Sequence, residues 1–109
     1  MRLYIAGPMT GLPDFNYPAF FAAAVQLQAA GHEPINPARS RPGVESQGAS
    51  WLTYMRHSLR DIADCDGIAT LPGHHNSRGA RIECDLVERL GLPVLSVDEW
   101  LADAQVATQ

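Results

Sequence analysis

At 109 residues the chain has room for one domain built on a single core. Hydrophobic residues make up 46% and charged residues 18%, and a net charge of -4 argues against broad binding to nucleic-acid backbone, whose partners are usually basic. No apolar stretch nears the ~20 residues of a membrane span, "MRLYIAGP" breaks too early for a signal peptide, and Cys65 and Cys84 lack metal-type spacing, so reduced thiols in a cytoplasm are expected.

"RLYIAG" reads as a buried first strand, stopped by Gly7 and Pro8. "NYPAFFAAAVQLQAAG" reads as a helix with Phe20, Ala23, Ala24, Leu27 and Ala30 on its apolar face and Gly31 as its stop. "HEPINPA" is a short strand ended by Pro37, and the Ser-, Gly- and Pro-rich stretch from Arg39 to Ala49 predicts a long loop. "SWLTYMRHSLRDIADC" predicts a second helix, capped by Ser50, with Leu52, Met55, Leu59 and Ile62 as its core face. "DGIATLPG" follows as the third strand and its loop, and "SRGARIECDLVERLG" as the third helix. "LPVLSV" is the fourth strand, and "VDEWLADA" a final short helix. Such alternation demands right-handed crossovers, and so a parallel sheet with helices on both faces. The expected fold is a small doubly wound α/β sandwich, Rossmann-like or flavodoxin-like, with a four- to five-stranded parallel sheet in one domain over 1–109.

Ligand crevices of such sheets lie at the carboxyl ends of the strands. "GPMTGLPDF", the 38–49 loop and "PGHHNSRG" are expected to gather there. The third helix starts small and then places Glu83 on the stripe of Ala80, Val87 and Leu90, where every other residue is apolar. A capping box would need its acid nearer the start. Helical side chains lean toward the N-terminus, so the carboxylate lies over Gly79 and Ala80, with room for a ligand above it. A buried acid paired with Arg78, Arg81 or a neighbouring chain is the alternative. Ser77 serves as the N-cap, and the same hydroxyl and helix start suit an anion. The glycines of "GPMTG" permit close backbone approach, although a tight turn alone would explain them. Asp61, Asp64 and Asp66 read mainly as a solvated helix end, and the adjacent His74 and His75 as a loop lip. No metal motif and no cofactor motif is present.

Together, "YIAGPMTGLPDFN", "CDGIATLPG" and "SRGARIE" carry a resemblance. From Arg2 to about Leu95 the chain resembles the nucleoside 2-deoxyribosyltransferase-like superfamily, and within it a small family of unknown function common in phages and bacteria. The resemblance implies that Tyr4, Gly7, Pro8, Met9 and Thr10 form the first-strand loop that holds sugar and base. It implies that Ser77 and Gly79 hold a 5'-phosphate and that Glu83 is the nucleophile on the anomeric carbon. Relatives usually carry an aspartate in the second helix, in a stretch like "RHDL"; this chain has Ser58 there, with Asp61 one turn later as a possible substitute.

These readings lead to an expected N-glycosidase or deoxyribosyltransferase acting on a nucleoside or nucleoside 5'-monophosphate. The second expectation is a nucleotide-binding module that does not react, which Ser58 favours. A purely structural or interaction domain is the third, and it leaves the small residues over Glu83 without a purpose. The small sheet leaves a pocket little enclosed, and Trp51, Tyr54 and Phe15 lie near the rim. A homodimer or larger symmetric assembly, with the pocket near its interface, is therefore expected. Neither a nucleic acid nor a membrane is an expected partner.

Overall fold

In this computed structural model, which describes residues 1–40 and 51–107, strands and helices alternate along the chain. The strands are β1 (Arg2–Ala6), β2 (Glu33–Ile35), β3 (Gly67–Thr70) and β4 (Val94–Ser96). The helices are α1 (Tyr17–Ala29), α2 (Pro37–Ser40), α3 (Trp51–Ile62), α4 (Arg78–Arg89) and α5 (Val97–Ala107). The four strands pair in parallel in the order β2-β1-β3-β4, with Leu3 opposite Gly67 and Ala6 opposite Thr70 at the centre. This is the Rossmann-like, doubly wound arrangement expected from the sequence.

Alternation along β1 divides the interior. Successive side chains of a strand point to opposite faces, so Leu3 and Ile5 join Phe20 and Leu27 of α1 and Trp100 of α5 in one core. Tyr4 and Ala6 join Ile62 of α3 and Ala80, Cys84 and Val87 of α4 in the other. The chain leaves β1 toward β2 and returns past it to β3, so β1 and β3 flank the topological switch point. That is where a doubly wound sheet opens a crevice.

Four local features differ from the sequence reading. Helix α1 starts at Tyr17, because Asp14, Phe15 and Asn16 take left-handed backbone conformations with φ of 52°, 53° and 60°. Such residues cost ~1–2 kcal/mol each; here Asn16 Nδ2 donates to the Pro8 carbonyl at 3.0 Å and ties the turn to the β1 loop. Secondly, Pro37 does not merely end β2. It opens the four-residue helix α2, with the Ala38 N–H donating to Asn36 Oδ1 at 3.0 Å, a cap followed by a first-turn proline. The remainder of the predicted loop and the Ser50 cap lie outside the described residues. Thirdly, α3 buries Met55, Ser58 and Ile62, whereas Leu52 and Leu59 are 52% and 38% exposed. Ser58 can face inward because Tyr4 gives its hydroxyl a partner. Finally, Leu90 is the C-cap of α4, beyond its last full turn, and is exposed rather than part of the buried stripe.

Candidate active site

The N-cap of α4 is Ser77, in extended conformation, with its Oγ accepting the Ala80 N–H at 3.2 Å. After Arg78, the capped first turn places two small buried residues, Gly79 and Ala80. A Cβ built on Gly79 would stand 3.1 Å from Met55 Sδ and 3.7 Å from Trp51 Nε1. The glycine therefore lets α3 close onto α4, a packing role additional to the opening above Glu83. Gly7 plays a comparable part at the end of β1, where a Cβ would come 2.8 Å from Leu71 Cβ. Both glycines are set by close approach of neighbouring elements.

A cleft of about 260 Å³ opens between these elements at the switch point, near the lower end of small-molecule sites (~300 Å³). Gly7, Met9 and Thr10 line it from the β1 loop, and Ser77, Gly79 and Glu83 from α4. The structure thus brings together six of the residues singled out from the sequence. Four further lining residues were given no site role there: Trp51 and Tyr54 from α3, and Asn76 and Arg78 before and at the start of α4. The aromatic pair was read only as exposed rim, and nothing in sequence spacing links α3 to α4. Tyr54 Oη lies 3.4 Å from Met9 Sδ, fixing one wall. The Arg78 guanidinium stacks 3.9 Å from the Trp51 ring centroid at the mouth, a cation–π contact. Neither Arg78 nor Arg81 forms an ion pair with Glu83.

Glu83 stands at the floor of the cleft and is 3% exposed. Beneath it, the Tyr4 hydroxyl lies 2.8 Å from Glu83 Oε2 and 3.0 Å from Ser58 Oγ. A phenol has one proton. With Glu83 ionised the carboxylate only accepts, so Tyr4 donates to Glu83 and Ser58 donates to Tyr4. Burial first, and then the Glu83 charge, hold the Tyr4 hydroxyl well above the usual tyrosine range. Tyr4 is therefore a neutral donor at physiological pH. Burial, with Glu83 and Glu88 nearby, pushes the Cys84 thiol up to about 12, so it is a neutral core residue rather than a nucleophile.

The other sequence candidates fall outside the cleft lining. Tyr4 and Ser58 lie below it, fully buried. Pro8 packs toward Gly73. Asp61 is half-buried on α3 and is not among the lining residues. Phe15 packs against Tyr17, with ring centroids 5.8 Å apart, and is not among the lining residues. His74 and His75 meet edge to face, and no group of three or more His, Cys, Asp or Glu among the described residues is placed to hold a metal ion. No helix among the described residues is long and apolar enough to cross a membrane.

A four-stranded parallel sheet with helices on both faces and a cleft at its switch point defines a Rossmann-like α/β protein. Within that class, the chain belongs to the family described as a domain of unknown function (DUF4406), which matches residues 1–96. Comparison with curated proteins gives no match.

Proposed function

We propose that the protein cleaves or transfers the N-glycosidic bond of a (deoxy)nucleoside or nucleoside 5'-monophosphate, with Glu83 as nucleophile. The observation that carries this reading is the Glu83 carboxylate, enclosed at the floor of the cleft and oriented by the Tyr4 hydroxyl at 2.8 Å. The resemblance of "YIAGPMTG" and "NSRGARIE" to the nucleoside 2-deoxyribosyltransferase-like superfamily supports it. The Glu83 carboxylate attacks C1', the C1'–N bond breaks through an oxocarbenium-like transition state, and the bonding pair leaves with the base nitrogen, which takes a proton from water. Water, or a second base, then attacks C1' of the glycosyl ester and releases the Glu83 carboxylate. A 5'-phosphate would lie against Ser77 and the first-turn amides of Arg78 and Gly79, which have no intrahelical acceptor.

A second reading is a nucleotide-binding module without turnover. One observation favours it: among the described lining residues Glu83 is the only carboxylic acid, and the α3 position where relatives carry an aspartate holds Ser58, buried against Tyr4. A positioned general acid contributes ~10²–10⁴-fold in such reactions, so its absence would leave binding with slow chemistry. Incubating the protein with deoxynucleoside monophosphates and measuring free base separates the readings. Base release lost in Glu83→Gln supports catalysis, whereas thermal stabilisation by a nucleotide that stays intact supports the module.

A further inference from the structure

The seam between α3 and α4 carries a surface that the cleft does not use. Gly79 meets Met55 across this seam. Helical neighbours recur at three, four and seven residues, so Leu52 and Leu59 continue the Met55 side of α3. Ile82, Leu86 and Leu90 continue the Gly79 side of α4. All five are exposed, between 36% and 62%. They form a stripe on the outside of the molecule, where leucine contributes nothing to the core. Leu52 to Leu59 spans about 10 Å along the helix at 1.5 Å per residue.

Charge distinguishes this face from the rest of an acidic chain. Arg56, Arg60, Arg78, Arg81 and Arg89, five of the eight basic residues, belong to α3 and α4. Arg89 pairs with Asp85 at 2.9 Å. No carboxylate among the described residues pairs with Arg56, Arg60 or Arg81, and all three are exposed. An apolar surface across two adjacent helices, edged on the α3 side by the unpaired Arg56 and Arg60, has the layout of a site for a docked helix. A second copy packed α3 edge to α3 edge would set Arg56 and Arg60 against their own counterparts, which is unfavourable.

We propose that the α3–α4 seam docks an amphipathic helix of a partner protein whose apolar stripe is flanked by acidic residues. The leucines supply the buried contact, and Arg56 and Arg60 supply orientation and selection for acidic flanks. The proposal is independent of the chemistry assigned to the cleft.

Fluorescence anisotropy tests it on the whole protein, with a synthetic helix bearing leucines at i, i+4 and i+7 flanked by glutamates. A lysine-flanked counterpart and phosphatidylglycerol vesicles are the comparison probes. The acidic helix is expected to bind and to weaken as salt rises. Its affinity is expected to fall at least about tenfold in Arg56→Glu/Arg60→Glu and in Leu59→Ser/Leu86→Ser. These positions are exposed, so an unchanged melting temperature is the check on folding. Equal affinity for both helices, no binding of the acidic one, or binding that survives both double substitutions overturns the proposal. Vesicle binding without peptide binding overturns it in favour of a lipid surface. A dimer in light scattering that Leu59→Ser/Leu86→Ser converts to monomer overturns it in favour of a second copy.

Discussion

The two faces of the central sheet are built from the same strands to opposite ends. On the α1/α5 face the buried side chains are Leu3, Ile5, Phe20, Leu27 and their neighbours. The indole of Trp100 is bound there to the Ile68 carbonyl at 2.8 Å. On the α3/α4 face one strand position later, Tyr4 meets Ser58 and Glu83, so a carboxylate and two hydroxyls lie where leucines could pack. Burying polar groups costs stability unless each is hydrogen-bonded, and a carboxylate costs more. The first face holds the fold together and the second sacrifices some of that stability to hold an oriented acid under a cleft.

The comparison can be broken most forcefully on the apolar side. Phe20 is fully buried, and Phe20→Ala should destabilise by ~3–5 kcal/mol through lost burial and a residual cavity. Chemical denaturation measures this. Ligand affinity per folded molecule should be unchanged, and a loss of affinity there would mean that the two faces are not separable.

On the polar side, Tyr4→Phe keeps the shape and removes the donor. Glu83 and Ser58 then lose a buried partner, with an expected cost of ~1–3 kcal/mol and a fall in any base release beyond the stability change. An unaltered rate in a folded variant would remove Tyr4 from the orientation of Glu83.

Ser77 sharpens the division between capping and binding. Ser77→Ala should cost ~0.5–2 kcal/mol as a lost N-cap. If the hydroxyl also holds a phosphate, the affinity for a nucleoside monophosphate should fall more than that for the matching nucleoside. Equal losses for the two ligands would restrict Ser77 to its cap.

The last effect is confined to alkaline pH. Cys84 has its thiol pushed up from 9.0 to about 12 in the folded protein. Between those values the unfolded chain is the one that loses the proton, so the contribution is intact below about pH 9 and stability falls as pH rises toward about 12. Denaturation midpoints across that range should fall less in Cys84→Ala than in the wild type. Identical slopes would contradict this assignment.

The fold was legible because β1, β2, α1 and α4 are apolar runs or stripes that stop at Gly7, Pro37, Gly31 and Gly91. The α3 face was not. Leu52 and Leu59 look like core positions and are exposed, while Ser58 looks like surface and is enclosed. The information that reverses this reading sits far away in β1, as the Tyr4 hydroxyl. At the site, Glu83 stood out as one acid on an apolar stripe and the glycines as close-approach positions. Trp51 and Tyr54 were legible only as rim, and Arg78 was missed as a pocket wall, because only the packing of α3 on α4 brings them together. The left-handed turn at Asp14, Phe15 and Asn16 left no signal either, since Phe15 is a residue type that rarely adopts it.

The central claim is that the enclosed carboxylate of Glu83 reacts with the anomeric carbon of a nucleotide. Mass spectrometry of the protein after incubation with a 2'-fluorinated deoxynucleoside monophosphate tests it most directly, since slowed hydrolysis of the glycosyl ester allows the intermediate to accumulate. The account predicts a 2-fluoro-2-deoxypentosyl 5-phosphate adduct on the Glu83 peptide, absent in Glu83→Gln. Free base released by the wild type with no adduct, and equally by Glu83→Gln, would contradict it.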